Sequence, residues 1–260
     1  MRRLILAPVL IAAATILSGC LSSQGLAGKT IHLDTTGPLV IDVESFAGNV
    51  RVAANPMAAG TTIRVHRRAD YGVGRRGEGL EAMEGIEWSA RIQPGDLGQV
   101  LRVQAWCDQN PLNLLYADIE IVAQNIENLY IKTQRGSVEA VDVTGNISVI
   151  TSDGIVRIAS NHPLLGAVSV QNRRGDVFYR VRGESTGHFE CTTSGGETAV
   201  DAEHGRLELL PGTARGRLFA VLNSGKNPIR LRTTDGDVRV SITKTPTIGL
   251  PWTGGDWLQW

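Results

Sequence analysis

From Val40 onward the chain alternates apolar and polar residues in short runs. Val40-Ile41-Asp42-Val43-Glu44, Gly48-Asn49-Val50-Arg51-Val52 and Thr62-Ile63-Arg64-Val65 repeat with a period of two, which predicts half-buried strands. The alternation lapses between Tyr71 and Gly79, where glycines and arginines predict a loop, followed by one short helical turn over 79–85. Strands resume over 86–92, 100–106 and 118–122.

Beyond residue 130 the pattern becomes a repeat of the form Gly-x-apolar-x-apolar. One set of glycines falls at Gly136, Gly154, Gly175, Gly196, Gly216 and Gly236, and a second interleaves at Gly145, Gly166, Gly187, Gly205 and Gly225. Two positions after the glycines come Val138, Ile147, Val156, Val168, Val177, Phe189, Leu207, Leu218 and Val238, with Gly196 and Gly225 the imperfect members. Two short strands per turn of about twenty residues predict a parallel β-solenoid, whose coils stack about 4.8 Å apart and bury a continuous core. An antiparallel sandwich is the competing all-β reading, because hairpins give the same strand spacing. Register at the corners favours the solenoid: the residues before the first set of glycines run Arg135, Asp153, Arg174, Gly195, Arg215, Asp235. Stacked in that order they form a partly alternating charge ladder worth up to about 1 kcal/mol per exposed pair.

The N-terminus carries an address. Arg2 and Arg3 precede an apolar stretch from Leu4 to Leu17, closed by Leu17-Ser18-Gly19-Cys20. This is the layout of a secretory signal, and the stretch is short for a bilayer span of roughly 20 residues. Residues 17–20 resemble the lipobox of bacterial lipoproteins. The resemblance implies diacylglycerol on the Cys20 thiol, cleavage before Cys20, acylation of its new amine and durable membrane attachment. Leu21 rather than Asp after that cysteine implies sorting to the outer membrane. The domain organisation predicted is a signal peptide over 1–19, a lipid-attached tether over 20–29, a β-solenoid over 30–246 and a tryptophan-rich tail over 247–260.

Charge and composition narrow the function classes. The chain has 26 basic and 26 acidic residues, and loss of Arg2 and Arg3 leaves it slightly acidic, which argues against nucleic acid as a partner. Cys107 and Cys191 could pair in an oxidising compartment, with two free thiols as the alternative. No cofactor or metal is expected: His188, Cys191 and His204 form a loose cluster whose spacing matches no metal motif. Asp153, Asp176, Asp235 and Asp237, with Arg174 and Arg215, are the residues that a polysaccharide-cleaving enzyme would use. Paired carboxylates are the chemistry of glycoside hydrolysis. Each of these aspartates also sits at a turn, where Asp beside Gly is ordinary turn chemistry.

A family resemblance rests on Gly48-Asn49-Val50 and on the repeats Thr133-Gln134-Arg135-Gly136-Ser137-Val138, Thr151-Ser152-Asp153-Gly154-Ile155-Val156 and Thr233-Thr234-Asp235-Gly236-Asp237-Val238. From about residue 38 to 242 the chain resembles the bacterial putative-adhesin β-helix domain, a domain of unknown function. The resemblance implies a right-handed parallel β-helix with a surface or scaffolding role, and it brings no catalytic residues. The expectation is therefore a non-catalytic envelope lipoprotein that contacts protein or glycan, with a polysaccharide-acting β-helix lyase or hydrolase as the alternative. Trp252, Trp257 and Trp260 lie in the last nine residues. They suggest either a cap over the open end of the stack, or a docking segment for another envelope protein or a platform that stacks on sugar rings.

Overall fold

The computed structural model describes residues 24–247, apart from 36, 97, 111, 112 and 224. Cys20, Trp252, Trp257 and Trp260 lie outside the described residues. In chain order the strands begin with β1 (Gln24–Leu33), β2 (Leu39–Ser45), β3 (Val50–Ala54), β4 (Thr61–Ala69), β5 (Ile86–Gly95), β6 (Gly98–Cys107) and β7 (Leu115–Ala123). Then come β8 (Ile126–Thr133), β9 (Val138–Val141), β10 (Ile147–Ile150), β11 (Val156–Ser160), β12 (Val168–Gln171) and β13 (Val177–Arg182). The last are β14 (Gly187–Thr192), β15 (Thr198–Ala202), β16 (Leu207–Leu209), β17 (Arg217–Leu222), β18 (Pro228–Arg232) and β19 (Val238–Thr243). Helix α1 (Arg76–Glu84) lies between β4 and β5. It starts inside the segment read as loop and is longer than the single turn expected, because Met83 reaches the core and is fully buried.

The protein is all-β, built on two mixed sheets with long parallel runs. Sheet A has the order β1-β4-β7-β3-β9-β11-β13-β19-β15, and sheet B the order β16-β17-β14-β18-β12-β10-β8-β2-β6-β5. Pairing is parallel from β7 through β15 in sheet A. In sheet B it is parallel from β14 through β6. Antiparallel pairs are confined to the ends: β1 and β4 beside β7, β5 beside β6, and β16 and β17 beside β14. From β7 to β15 successive strands alternate between the sheets. Each turn of roughly twenty residues thus adds one strand to each.

The core is a set of in-register rows between the sheets. Val50, Val138, Val156, Val177 and Val238 align across sheet A, and Ile41, Leu129, Ile147, Val168, Ile229 and Phe189 across sheet B. All are buried, and each such side chain contributes about 1.5–3 kcal/mol on burial. The corners explain the glycines. Gly48, Gly136, Gly154, Gly175 and Gly236 have φ between +114° and +144°. A Cβ on any of them would lie 2.1–2.4 Å from a main-chain carbonyl oxygen of the neighbouring strand, in β7 for Gly48 and at the next corner glycine for the others. Only glycine meets both conditions.

Two expectations need correction. The coils do not stack in chain order: β13 pairs with β19, β19 with β15, and β12 with β18. Of the strands between β13 and β19, β16 and β17 are diverted into antiparallel pairs beside β14, while β15 and β18 pair parallel with β19 and β12. In space the charged corner therefore reads Arg135, Asp153, Arg174, Asp235, a strictly alternating ladder in place of the partly alternating one. Arg215 leaves that column and pairs with Glu197 at 3.0 Å. In addition, β1 includes residues 24–29, which composition assigned to a tether. They pair with β4 through main-chain groups, an interaction that needs no hydrophobic pattern.

Candidate functional site

The carboxylates of Asp153, Asp176 and Asp237 are committed to holding adjacent strands together. The Asp153 carboxylate takes a bidentate contact from Arg174 and lies 3.5 Å from Arg173; the hydrogen bonds from Arg174 hold it below the usual carboxylate range. Asp176 accepts the backbone N–H of Asp237 at 2.8 Å, and Asp237 accepts that of Glu197 at 3.0 Å. That bond and Arg239 keep the Asp237 carboxyl acidic. Asp235 pairs through its main chain with Arg174. A general acid for glycoside cleavage has to hold its proton near neutrality, and Asp153 and Asp237 are pushed the other way.

His188 and Cys191 lie on opposite faces of β14: His188 is exposed and Cys191 is buried in the row between Leu231 and Leu218. Among the described residues no three His, Cys, Asp or Glu side chains converge on a point that could hold a metal. Cys107 and Cys191 are both free thiols, and burial pushes the Cys191 thiol up to about 12.

A charged row on the outside of sheet A escaped sequence reasoning. Arg64, Glu120, Arg51, Glu139, Arg157, Phe178 and Arg239 are register neighbours on successive strands. Arg64 and Arg51 flank Glu120 at 3.1 and 3.6 Å, and Arg51 is 3.8 Å from Glu139. Arg157 and Arg239 approach the Phe178 ring at 5.7 and 5.9 Å. Burial raises the Glu139 carboxyl to about 7 against the pull of Arg51 and Arg157. That value suits an acid catalyst, but the geometry does not. Inverting glycosidases keep their carboxyl groups about 6.5–9.5 Å apart to admit water, whereas Arg51 occupies the strand between Glu120 and Glu139 and ion-pairs with both. The signal for the row was present in the sequence at the third position after each corner glycine: Arg51, Glu139, Arg157, Phe178 and Arg239.

The outside of sheet B is the more open face. Asp42, Tyr130, Ser148, Ser169, Arg230, Glu190 and Phe219 align on it, and beside them Glu44, Lys132, Ile150, Gln171, Arg232, Thr192 and Arg217. Trp106, Tyr130 and Ile150 are exposed. Charges are paired across strands: Arg102 with Asp42 at 3.0 Å, Lys132 with Glu44 at 2.8 Å, and Arg230 and Arg232 both with Glu190. Depressions on this face measure 160, 220 and 260 Å³. A wider ledge of 390 Å³ beside Trp106 is bounded by Glu44, Gln104 and Ala105. Enclosed sites for small ligands run to about 300–1,000 Å³ and bury most of the ligand; these are shallow grooves suited to an extended or flat partner.

The chain is similar to the structure of a putative cell adhesion protein from Clostridium sporogenes over 85% of its own length and 99% of that chain. The identity is 12% and the TM-score 0.53, a likeness of fold alone. For a putative adhesin from Bacteroides fragilis the figures are 86% and 99% coverage, 10% identity and a TM-score of 0.31. No curated protein matches the chain. One family model, described as Toastrack DUF4097, matches residues 40–241.

Proposed function

Because the chain belongs to the Toastrack DUF4097 family, we propose that it is a non-catalytic contact protein of the bacterial envelope. Its working surface is the outside of sheet B, presented on a right-handed parallel β-solenoid. The observation that carries this reading is the in-register face of β8, β10, β12, β18 and β14. There Tyr130, Ser148, Ser169 and Arg230 form a polar strip with an aromatic at one side and a guanidinium at the other. Across three strand spacings of about 4.8 Å such a strip matches an extended polypeptide or a glycan, through ring stacking and charge-assisted hydrogen bonds. The same reading accounts for Asp153, Asp176 and Asp237, whose hydrogen bonds and ion pairs join adjacent strands. The Clostridium sporogenes structure carries a cell-adhesion name, which supports a contact role.

Attachment belongs to this proposal too. Leu17-Ser18-Gly19-Cys20 would place a lipid on Cys20 and hold the domain at the outer membrane. The test is co-purification from solubilised envelope of the intact lipoprotein and of a Tyr130→Ala, Arg230→Ala double variant. The reading expects a partner whose yield drops several-fold with the variant while the circular dichroism is unchanged. Equal capture by both would remove sheet B from the account.

A further inference from the structure

Charge on the outside of sheet B is balanced unevenly. Toward β6 the partners match one to one: Arg102 with Asp42 at 3.0 Å, and Lys132 with Glu44 at 2.8 Å. Toward β17 they do not. Glu190 on β14 is shared by Arg230 and Arg232 of the adjacent β18. Arg217 on β17 is exposed and ion-pairs with no carboxylate among the described residues. Glu208 of β16 faces the same side, but it stands with Val221 and His188, outside the two rows that hold the arginines. In those rows three guanidinium groups meet one carboxylate. The side chains of Arg230, Arg232 and Glu190 are 60%, 52% and 32% exposed, so a ligand reaches them without disturbing the core.

Two depressions adjoin at this cluster, both bounded by Arg230 and Glu190. One, of 220 Å³, is lined further by Ser169, Gln171 and Arg232. The other, of 260 Å³, is lined by His188, Pro228 and Phe219. Charged and hydrogen-bonding groups gather in the first, and flat rings in the second. Register fixes their spacing: Phe219, Glu190, Arg230 and Ser169 stand in one row on successive strands, about 4.8 Å apart. Main-chain groups have no part in recognition here. The strands β12, β18, β14 and β17 are each paired on both sides, so a polypeptide finds no edge to extend as an added strand.

We propose that this cluster is the subsite of an acidic polysaccharide, with a sugar carboxylate held by Arg230, Arg232 and Arg217 and a neighbouring sugar ring stacked on Phe219. This rests on sheet B being the working face, and names what that face takes. Glu190 shows which anion fits: its own carboxylate bridges Arg230 and Arg232, so the gap between the two guanidinium groups accepts carboxylate geometry. A uronate takes both arginines over from Glu190, which competes for the same donors. The C–H face of a sugar suits the Phe219 ring, and its hydroxyls suit Ser169 and Gln171.

The test is calorimetric titration of the full-length protein with polygalacturonate and with alginate, beside fully methyl-esterified polygalacturonate and poly-L-glutamate. A uronate chain should bind, and binding should fall at least tenfold on esterification and in an Arg217→Gln, Arg232→Gln variant, and weaken in high salt. Glu190→Gln should bind several-fold more tightly, since it frees both arginines, and a gain of that kind does not come from damage to the fold. Absence of uronate binding, or binding that Glu190→Gln leaves unchanged or weakens, overturns the proposal. Equal binding of the methyl ester gives the cluster to a neutral glycan, and tighter binding of poly-L-glutamate gives it to an acidic polypeptide; both overturn it. Failure here is separable from failure of the sheet B reading. Partner capture lost in Tyr130→Ala, Arg230→Ala without any uronate binding strikes the acidic glycan alone, whereas equal capture by both proteins strikes the face as well.

Discussion

The carboxylate of Asp176 accepts the backbone N–H of Asp237 at 2.8 Å, although 61 residues separate them. This bond marks the place where the stack departs from chain order, since β13 takes β19 as its neighbour. The intervening β15 comes after β19 in space. Corner glycines follow the same order: a Cβ at Gly236 would strike the carbonyl of Gly175, and one at Gly196 the carbonyl of Gly236.

Gly154→Ala should be severe. It combines φ of +138° with a carbonyl oxygen 2.1 Å from the new Cβ, so strain and displacement of a strand add to about 3 kcal/mol. Gly37→Ala has a positive φ of +90° and open space around it, and should cost only about 1 kcal/mol. Urea unfolding of the two variants measures the difference, and equal losses would refute the steric account of the corners.

Much of this architecture was legible before any coordinates. Corner glycines are imposed by sterics, and inward residues by a period of two, so both leave a local trace around Gly136, Gly154, Gly175 and Gly236. The order of stacking leaves none. Gly196 and Gly216 keep the same spacing as successive corners, yet Gly196 stacks on Gly236, which lies 40 residues on in the chain, and β17 after Gly216 pairs antiparallel with β14 and β16. Only main-chain pairing distinguishes the two cases. The row from Arg64 to Arg239 was hidden for a related reason: its members come together through register, and each taken alone reads as an ordinary exposed position on a strand.

Glu139 should make stability depend on pH. Its folded pKa of about 7 lies above the ordinary 4.5 because burial disfavours the charged form. The native state therefore holds the proton more tightly, and stability is greatest below pH 4.5 as far as this group is concerned. It declines as pH rises from 4.5 through 7, then levels off. At about 1.4 kcal/mol per unit the swing is on the order of 3 kcal/mol. Chemical denaturation at pH 5 and pH 8 should show this slope in the wild type and its loss in Glu139→Gln.

The thiols should separate cleanly. Cys107 is half-buried, while Cys191 is fully buried in a core row with its thiolate suppressed. In the native protein iodoacetamide should modify Cys107 and spare Cys191 until denaturant is added. Rapid native labelling of Cys191 would contradict its place between Leu231 and Leu218.

Asp153→Asn should cost at most about 1 kcal/mol, and less in high salt, because its partner Arg174 is largely exposed. Thermal melts at low and high ionic strength check the value. A loss of several kcal/mol would mean that the corner ladder dominates stability, where the account assigns that to the buried rows.

The claim that this chain contacts its partner without transforming it is tested most directly by incubating the full-length protein with envelope polysaccharide and following chain length and new reducing or unsaturated ends. The account predicts no change in length with wild type or with Asp153→Asn. Shortened chains from the wild type, abolished by Asp153→Asn or Asp237→Asn while the fold is retained, would contradict it and make the corner acids catalytic.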